Sequence, residues 1–117
     1  MQKDDLVYVG HMLDLARSIV NKVAGKPQSE FNADENLRLA LVHLIQTFGE
    51  AARRVSSEFQ DAHPEVPWKE IVGMRHKVVH DYLYVNYRIV WSVATTDLPA
   101  LLPELERIAP PEPPKTP

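Results

Sequence analysis

The chain contains no cysteine, which excludes disulfide bonds and metal sites with thiolate ligands. It has no apolar run near the roughly 20 residues that a membrane-spanning helix needs, and residues 1–5 lack the features of a secretion signal. A basic excess is also missing, because the formal net charge is −3. We therefore expect a soluble, cytoplasmic protein that meets nucleic acid only through a local basic patch.

Helical periodicity is the main pattern that is present. Apolar side chains recur every three or four residues over 4–24, 37–55, about 68–80 and 87–108, and strand-like alternation is absent. With 117 residues the chain suits one domain. The sequence predicts an all-α fold, a compact bundle of four to five helices over residues 1–108, followed by a Pro-rich tail over 109–117.

Capping residues and prolines place the helix ends. Asn32, with Glu35 three positions later, resembles a capping box for the second helix. Pro67 suits the first turn of the third helix, and Asn86 suits the cap of the fourth. The fourth stretch contains Pro99 and Pro103, so we expect a kink or a restart near Asp97–Pro99, with the Asp97 side chain capping the new turn.

The tail over 110–117 holds five of the chain's prolines and is expected to be loose and extended. Its PxxP spacing allows a partner-docking role, while a disordered terminus is the commoner explanation for such a composition.

The densest chemistry lies in the run 74–82, where Arg75, His80 and Tyr82 occur in order. An arginine holds phosphate charge with a planar set of donors, and a histidine moves a proton near neutral pH. If the backbone is extended after His80, Tyr82 returns to the same side. The three residues therefore indicate a site for phosphate-ester chemistry, although a tyrosine that only packs and caps a backbone group is also consistent.

Arg75 falls on the apolar arc of its helix, together with residues such as Trp68, Ile71 and Val78. A buried guanidinium without a partner is costly, so three explanations are open. Arg75 forms a buried ion pair, extends its charged end to solvent, or lies in a cleft that admits an anion.

Two further interpretations concern the neighbouring basic residues. His76, Lys77 and Arg88 are candidate phosphate or RNA contacts beside Arg75 and His80, and Arg53–Arg54 form a second basic pair; ordinary solvated charges would look the same. His76 and His80 share a helix face in the manner of zinc ligands, but no third ligand is evident. No metal site is predicted.

The spacing of Arg75, His80 and Tyr82 resembles the motif of HEPN domains, in the HepT-like branch. Supporting similarities are the residues 71–74 before the motif, Val90–Trp91 and 97–99 after it, and 49–52 followed by basic residues. The resemblance covers about residues 5–108. Many members carry Asp where this chain has Asn86.

The resemblance implies a metal-independent ribonuclease toxin that acts on RNA as a homodimer. It implies that Arg75 stabilises charge on the reacting phosphate and that His80 transfers the proton. It also implies a cognate MntA-type nucleotidyltransferase antitoxin that transfers AMP from ATP to Tyr82. ATP would be used by that partner, and the chain itself needs no cofactor. A non-catalytic module that binds nucleotide or the partner, and a plain helical dimer, are the rival hypotheses.

Overall fold

A computed structural model describes residues 3–81 and 84–110, with the backbone alone for Lys3, His80 and Asp81. Within this part of the chain the fold is almost entirely helical, which confirms the predicted all-α class. The elements are α1 (Lys3–Val23), α2 (Gln28–Ala33), α3 (Glu35–Arg54), α4 (Ser57–Ala62), α5 (Trp68–Val78), β1 (Val79–Asp81), β2 (Tyr84–Val85), α6 (Tyr87–Ser92), a π-helix (Val93–Asp97) and α7 (Leu98–Ile108).

The four longest helices build the core. α1 packs against α3 and α7, and α3 also packs against α5. Fully buried side chains at helical spacing fill the centre: Val9, Met12, Ala16, Ile19, Leu41, Ile45, Phe48, Ile71, Leu98 and Leu105. The stripes expected from the sequence are thus the packed faces. No helix in the described ranges has the length and apolarity needed to cross a membrane.

The start of the second predicted helix differs from the expectation. α3 begins at Glu35 and its cap is Asp34, whose Oδ1 accepts a hydrogen bond from Leu37 N at 3.0 Å. The prediction that Asn32 is this cap was wrong, because Asn32 lies inside the short helix α2. Asp34, two residues later, caps the helix instead, because α3 starts at the residue that follows it.

A second short helix, α4, also went unpredicted. Ser56 caps it by accepting from Phe59 N at 3.2 Å. The buried carboxylate of Asp5 accepts from Ser56 N at 2.8 Å and from Ser56 Oγ at 2.7 Å. The first turn of α1 is thereby fixed to the junction between α3 and α4.

The last predicted helix is interrupted where the prolines suggested. Between α6 and α7 the helix widens into a π-helix over Val93–Asp97, in which Leu98 N donates to Val93 O. The prediction that Asp97 caps a new turn was wrong, because its backbone is helical and its side chain makes no capping bond. The wider turn lets the chain reach Pro99, at the start of α7, without a separate restart.

A short antiparallel ladder follows α5. Val79 pairs with Val85 and Asp81 with Tyr84, with an irregularity between the two pairs. Asn86 then caps α6 as predicted, accepting from Ile89 N at 3.2 Å. Extended backbone after the helix was expected for Tyr82 to face the same way as His80, and it is present through Asp81; Tyr82 itself lies outside the described residues.

The predicted tail is described only at its start. Pro110 lies against α1, with its Cγ 3.8 Å from the position that a β-carbon on Gly10 would occupy. Residues 111–117 lie outside the described residues, so the boundary between residues 108 and 109 remains a prediction.

Candidate active site

Arg75 lies in the last turn of α5 and forms an ion pair with α3. Its Nη1 donates to Glu50 Oε1 at 2.7 Å, and 44% of its side chain is exposed. Arg75 is therefore paired, yet it is not buried. Of the three explanations for its position on the apolar arc, an ion pair and an arginine stem that reaches solvent both apply.

Gly49 explains how the stem of Arg75 fits between the helices. A β-carbon at this buried position would be 3.0 Å from Arg75 Cγ and 3.3 Å from the carbonyl oxygen of Ile71. Such distances are shorter than ordinary contacts, so the missing side chain leaves the space that the arginine stem occupies. The approach of α5 to α3 at this point thus determines where the guanidinium emerges.

Glu50 binds three arginines at once. Besides Arg75, it accepts from Arg53 Nε at 3.1 Å and Arg53 Nη2 at 2.7 Å, and from Arg54 Nε at 3.0 Å. We call these four residues the Glu50 cluster. Arg53 and Arg54 follow Glu50 by three and four residues on α3, the spacing at which helical side chains meet. The two basic groups that looked separate in the sequence therefore share one carboxylate.

The surrounding arginines keep Glu50 ionised. Hydrogen bonds from Arg53, opposed in part by burial and reinforced by Arg54, lower the pKa of Glu50 from 4.5 to about 2. A carboxylate with this pKa is negatively charged at any pH at which the protein would function. Glu50 is thus a permanent acceptor that orients the guanidiniums.

The backbone carries His80 directly from α5 into β1, five residues after Arg75. Tyr82 falls between β1 and β2, in the part of the chain that is not described. The backbone leaves the α5 axis at Val79, which caps the helix and has extended dihedral angles.

The other predicted contacts occupy exposed positions. His76 and Lys77 follow Arg75 in the last turn of α5, and Arg88 is the second residue of α6. Among the side chains that the structure describes, which do not include those of His80 and Asp81, no three histidine or carboxylate groups come together in a way that would hold a metal ion.

Glu50 is the residue that sequence reasoning missed. Its spacing to Arg53 and Arg54 was a usable signal for a helical ion pair. Gly49 inside a strongly helical stretch was a second signal, because glycine weakens a helix and often marks a close approach. The contact with Arg75 joins residues 25 positions apart and depends on how the two helices dock.

Comparison with known proteins agrees with the motif. The family model described as "Ribonuclease HepT-like" matches residues 12–108. This range includes both halves of the Glu50 cluster and the segment 75–82, and it confirms the resemblance drawn from the sequence.

Several named relatives match most of the chain. "Putative RNase TTE0752" of Caldanaerobacter subterraneus subsp. tengcongensis is 37% identical over 101 residues, covering 86% of this chain and 90% of the relative. "Probable ribonuclease HepT" of Thermococcus cleftensis is 27% identical over 106 residues, covering 91% and 94%. "Putative RNase MJ1380" of Methanocaldococcus jannaschii is 28% identical over 105 residues, covering 90% and 96%. No solved structure matches the chain.

Proposed function

This chain belongs to the ribonuclease HepT-like family, and we propose that it is a metal-independent endoribonuclease with Arg75 and His80 as catalytic residues. The observation that carries the proposal is the fixed but accessible guanidinium of Arg75. Glu50 holds it at 2.7 Å, while nearly half of the side chain remains open to solvent. Exposure alone does not identify a ligand site, since Arg107 is also paired and exposed, but at Arg75 it leaves a residue of the family motif accessible to a substrate.

Arg75 would bind the phosphate that is cleaved. The guanidinium has five N–H donors, and the bond to Glu50 uses one side of it. Donors on the other side can hold the non-bridging oxygens of a phosphodiester, whose negative charge increases in the transition state. Because Glu50 fixes the group beforehand, little reorganisation is required when the substrate binds.

His80 would transfer the proton. As a base it takes the proton of the ribose 2′-hydroxyl, whose oxygen attacks the phosphorus while the bond to the 5′-oxygen breaks. The leaving oxygen receives a proton, either from His80 of the second subunit or from water. The products are a 2′,3′-cyclic phosphate and a 5′-hydroxyl, and no redox step or metal is involved.

The active form would be a homodimer that brings two copies of the motif together. Tyr84, next to the motif on β2, is exposed, which leaves its ring available to a second chain. Analytical ultracentrifugation of wild type and Tyr84→Ser tests this part: a dimer that the substitution weakens is expected. A wild-type monomer at micromolar concentration would contradict it.

RNA cleavage in EDTA tests the catalytic proposal directly. Wild-type protein should cleave single-stranded RNA, and Arg75→Ala and His80→Ala should each abolish cleavage while the circular dichroism spectrum is retained. Binding of RNA without any turnover by wild type would instead favour the non-catalytic module. His76→Ala, Lys77→Ala and Arg88→Ala should reduce affinity more than turnover, since these exposed groups would contact phosphate only.

In a toxin–antitoxin pair, this ribonuclease would be the toxin, and a partner enzyme would neutralise it by modifying Tyr82. We expect a cognate MntA-type nucleotidyltransferase to transfer AMP from ATP to the Tyr82 hydroxyl, which would add negative charge and bulk beside Arg75. Mass spectrometry after co-expression should find AMP on Tyr82, and Tyr82→Phe should remain active and unmodified. If Tyr82 stayed unmodified during co-expression with an active partner, inhibition by AMP transfer would be ruled out.

A further inference from the structure

The Glu50 cluster contains more positive charge than catalysis by Arg75 requires. Three guanidiniums surround one carboxylate, which leaves an excess of two positive charges in a chain whose net charge is −3. We propose that Arg53 and Arg54 bind the backbone of single-stranded RNA next to the cleaved nucleotide, and that the groove beside them receives the adjoining base. The inference rests on the proposed function, because it extends the same substrate beyond Arg75.

The accessibility of the two arginines supports phosphate binding. The side chains of Arg53 and Arg54 are 56% and 53% exposed, although both are bound to Glu50. Arg53 uses Nε and Nη2 on the carboxylate, and Arg54 uses Nε. Arg54 also hydrogen bonds the Tyr8 side chain, so a phosphate oxygen can accept from the N–H groups of Arg53 that Glu50 does not bind and from those of Arg54 that neither Glu50 nor Tyr8 binds.

The distances suit one continuous RNA strand. The bound nitrogens of Arg53, Arg54 and Arg75 lie within about 8 Å of one another, because each bonds the same carboxylate. Neighbouring phosphates of an extended strand can therefore contact neighbouring arginines. Glu50 sets the spacing between the phosphate at Arg75 and the next positions, and it acts as a positioning residue.

A groove between α1 and α3 continues from the cluster, and we call it the α1–α3 groove. Its volume is about 410 Å³, and its lining includes Tyr8, Leu15 and Ala51 together with the charged residues Asp14, Glu50 and Arg54. The Arg54 guanidinium lies 6.0 Å from the centre of the Tyr8 ring. A largely apolar groove with an aromatic ring and a cation at its edge offers an unpaired base both a stacking surface and a partner for its phosphate.

A strand with free bases is the expected ligand, because bases in a duplex are already stacked and paired. The cluster contributes charge that attracts any phosphate chain, whereas the α1–α3 groove contributes only when a base can leave the helix. Single-stranded RNA should therefore bind more tightly than a duplex of the same length.

Binding of an uncleavable oligonucleotide tests the proposal. A single-stranded 2′-O-methyl RNA lacks the attacking hydroxyl, so fluorescence anisotropy with the full-length protein reports binding alone. Arg53→Ala and Arg54→Ala should each weaken binding about three- to tenfold, and each should lower the slope of log affinity against log salt by about 0.7. Arg53→Lys and Arg54→Lys should restore most of the affinity and the slope.

The matched control is Arg107→Ala. Arg107 is 58% exposed and pairs with Glu104 three residues earlier on its helix, as Arg53 does with Glu50. Its removal changes net charge by the same amount at a different place. Equal effects of Arg53→Ala, Arg54→Ala and Arg107→Ala would overturn the proposal in favour of general electrostatic attraction.

The groove is tested with Tyr8→Leu, which keeps an apolar side chain and removes the ring. It should weaken binding of the single strand about threefold and leave duplex affinity and the salt slope unchanged. Unchanged affinity for the single strand would overturn the part of the proposal that concerns the base.

The experiments distinguish failure of the extended RNA site from failure of the ribonuclease function. If wild type binds and cleaves RNA while Arg53→Ala and Arg54→Ala bind as wild type does, only the extended site is wrong. If wild type neither cleaves the natural RNA nor binds the 2′-O-methyl strand, the ribonuclease function is wrong as well.

Discussion

The Glu50 cluster and a group of residues around Arg107 are built from similar arginine–glutamate contacts, with opposite charge balance. The Glu50 cluster surrounds one carboxylate with three guanidiniums. At Arg107, one guanidinium meets two carboxylates, hydrogen bonding Glu104 and lying 3.6 Å from Glu65. We call these three residues the Arg107 cluster.

The difference shows that an ion pair by itself indicates little about function. In the Arg107 cluster the arginine is the minority charge, and an anion would meet repulsion from the glutamates. In the Glu50 cluster the carboxylate is the minority charge and orients cations that remain exposed. Surface pairs of either kind add little stability, so the charge left over after pairing is the informative quantity.

The largest expected effect comes from Arg75→Lys, which keeps the charge and removes the planar set of donors. We expect kcat for RNA cleavage to fall about a hundredfold, as when one transition-state donor is lost. Arg107→Lys, its counterpart in the other cluster, should leave kcat unchanged. Wild-type turnover by Arg75→Lys would mean that charge alone is sufficient at this position.

Glu50→Gln should give the next largest effect. It shows whether Glu50 positions Arg75 for catalysis or contributes to RNA binding. We expect kcat to fall about tenfold, because the guanidinium of Arg75 loses its fixed orientation. Affinity for the 2′-O-methyl strand should be unchanged or tighter, since a negative charge has been removed.

Glu104→Gln is the matched control for this substitution and should affect neither quantity. If Glu50→Gln weakened binding and left kcat intact, Glu50 would be a binding residue and would not position Arg75.

Gly49→Ala tests the contact that directs Arg75 toward the surface. A β-carbon would meet Arg75 Cγ at 3.0 Å, so the arginine stem must move and kcat should fall about threefold. Alanine is a better helix former than glycine by up to about 1 kcal/mol, which offsets part of the crowding. Chemical denaturation should therefore show a small change in the free energy of unfolding, and a variant with full kcat would contradict the role assigned to Gly49.

The smallest expected effect is a change in stability with pH that depends on Glu50. The pKa of Glu50 is lowered from 4.5 to about 2, so its ionised form stabilises the fold above pH 4.5. That contribution is lost as the pH falls toward 2. The stability difference between wild type and Glu50→Gln should accordingly shrink over this range. Carbon NMR of the Glu50 carboxyl should give a midpoint near 2, and a midpoint near 4.5 would show that the cluster is open in solution.

Most of the helical architecture was predictable because burial repeats with the period of the helix. The stripes of α1, α3, α5 and α7 are visible in the sequence, and Asn86 was identified as a cap. The errors lie at helix ends, where several neighbouring residues are suitable caps, and in the short helices α2 and α4. Asp34 caps α3 in place of Asn32.

The candidate site was only half predictable. Arg75, His80 and Tyr82 are close together in the chain, so their spacing was visible. The pairing of Arg53 and Arg54 with Glu50 follows from helix geometry. Their meeting with Arg75 does not, because it depends on the docking of α5 on α3. Gly49 signals a close approach at this point but does not identify the helix that approaches.

The π-helix over Val93–Asp97 has a consequence for the length of the chain. A π-turn is in effect one residue inserted into an α-helix, and removing one residue, such as the exposed Thr96, would restore regular winding. Everything downstream would then rotate by about 100°, turning Leu98, Leu101 and Leu105 away from α1. The region should tolerate substitutions at its exposed positions and reject single-residue deletions, so homologous chains should keep their length here even where their residues differ.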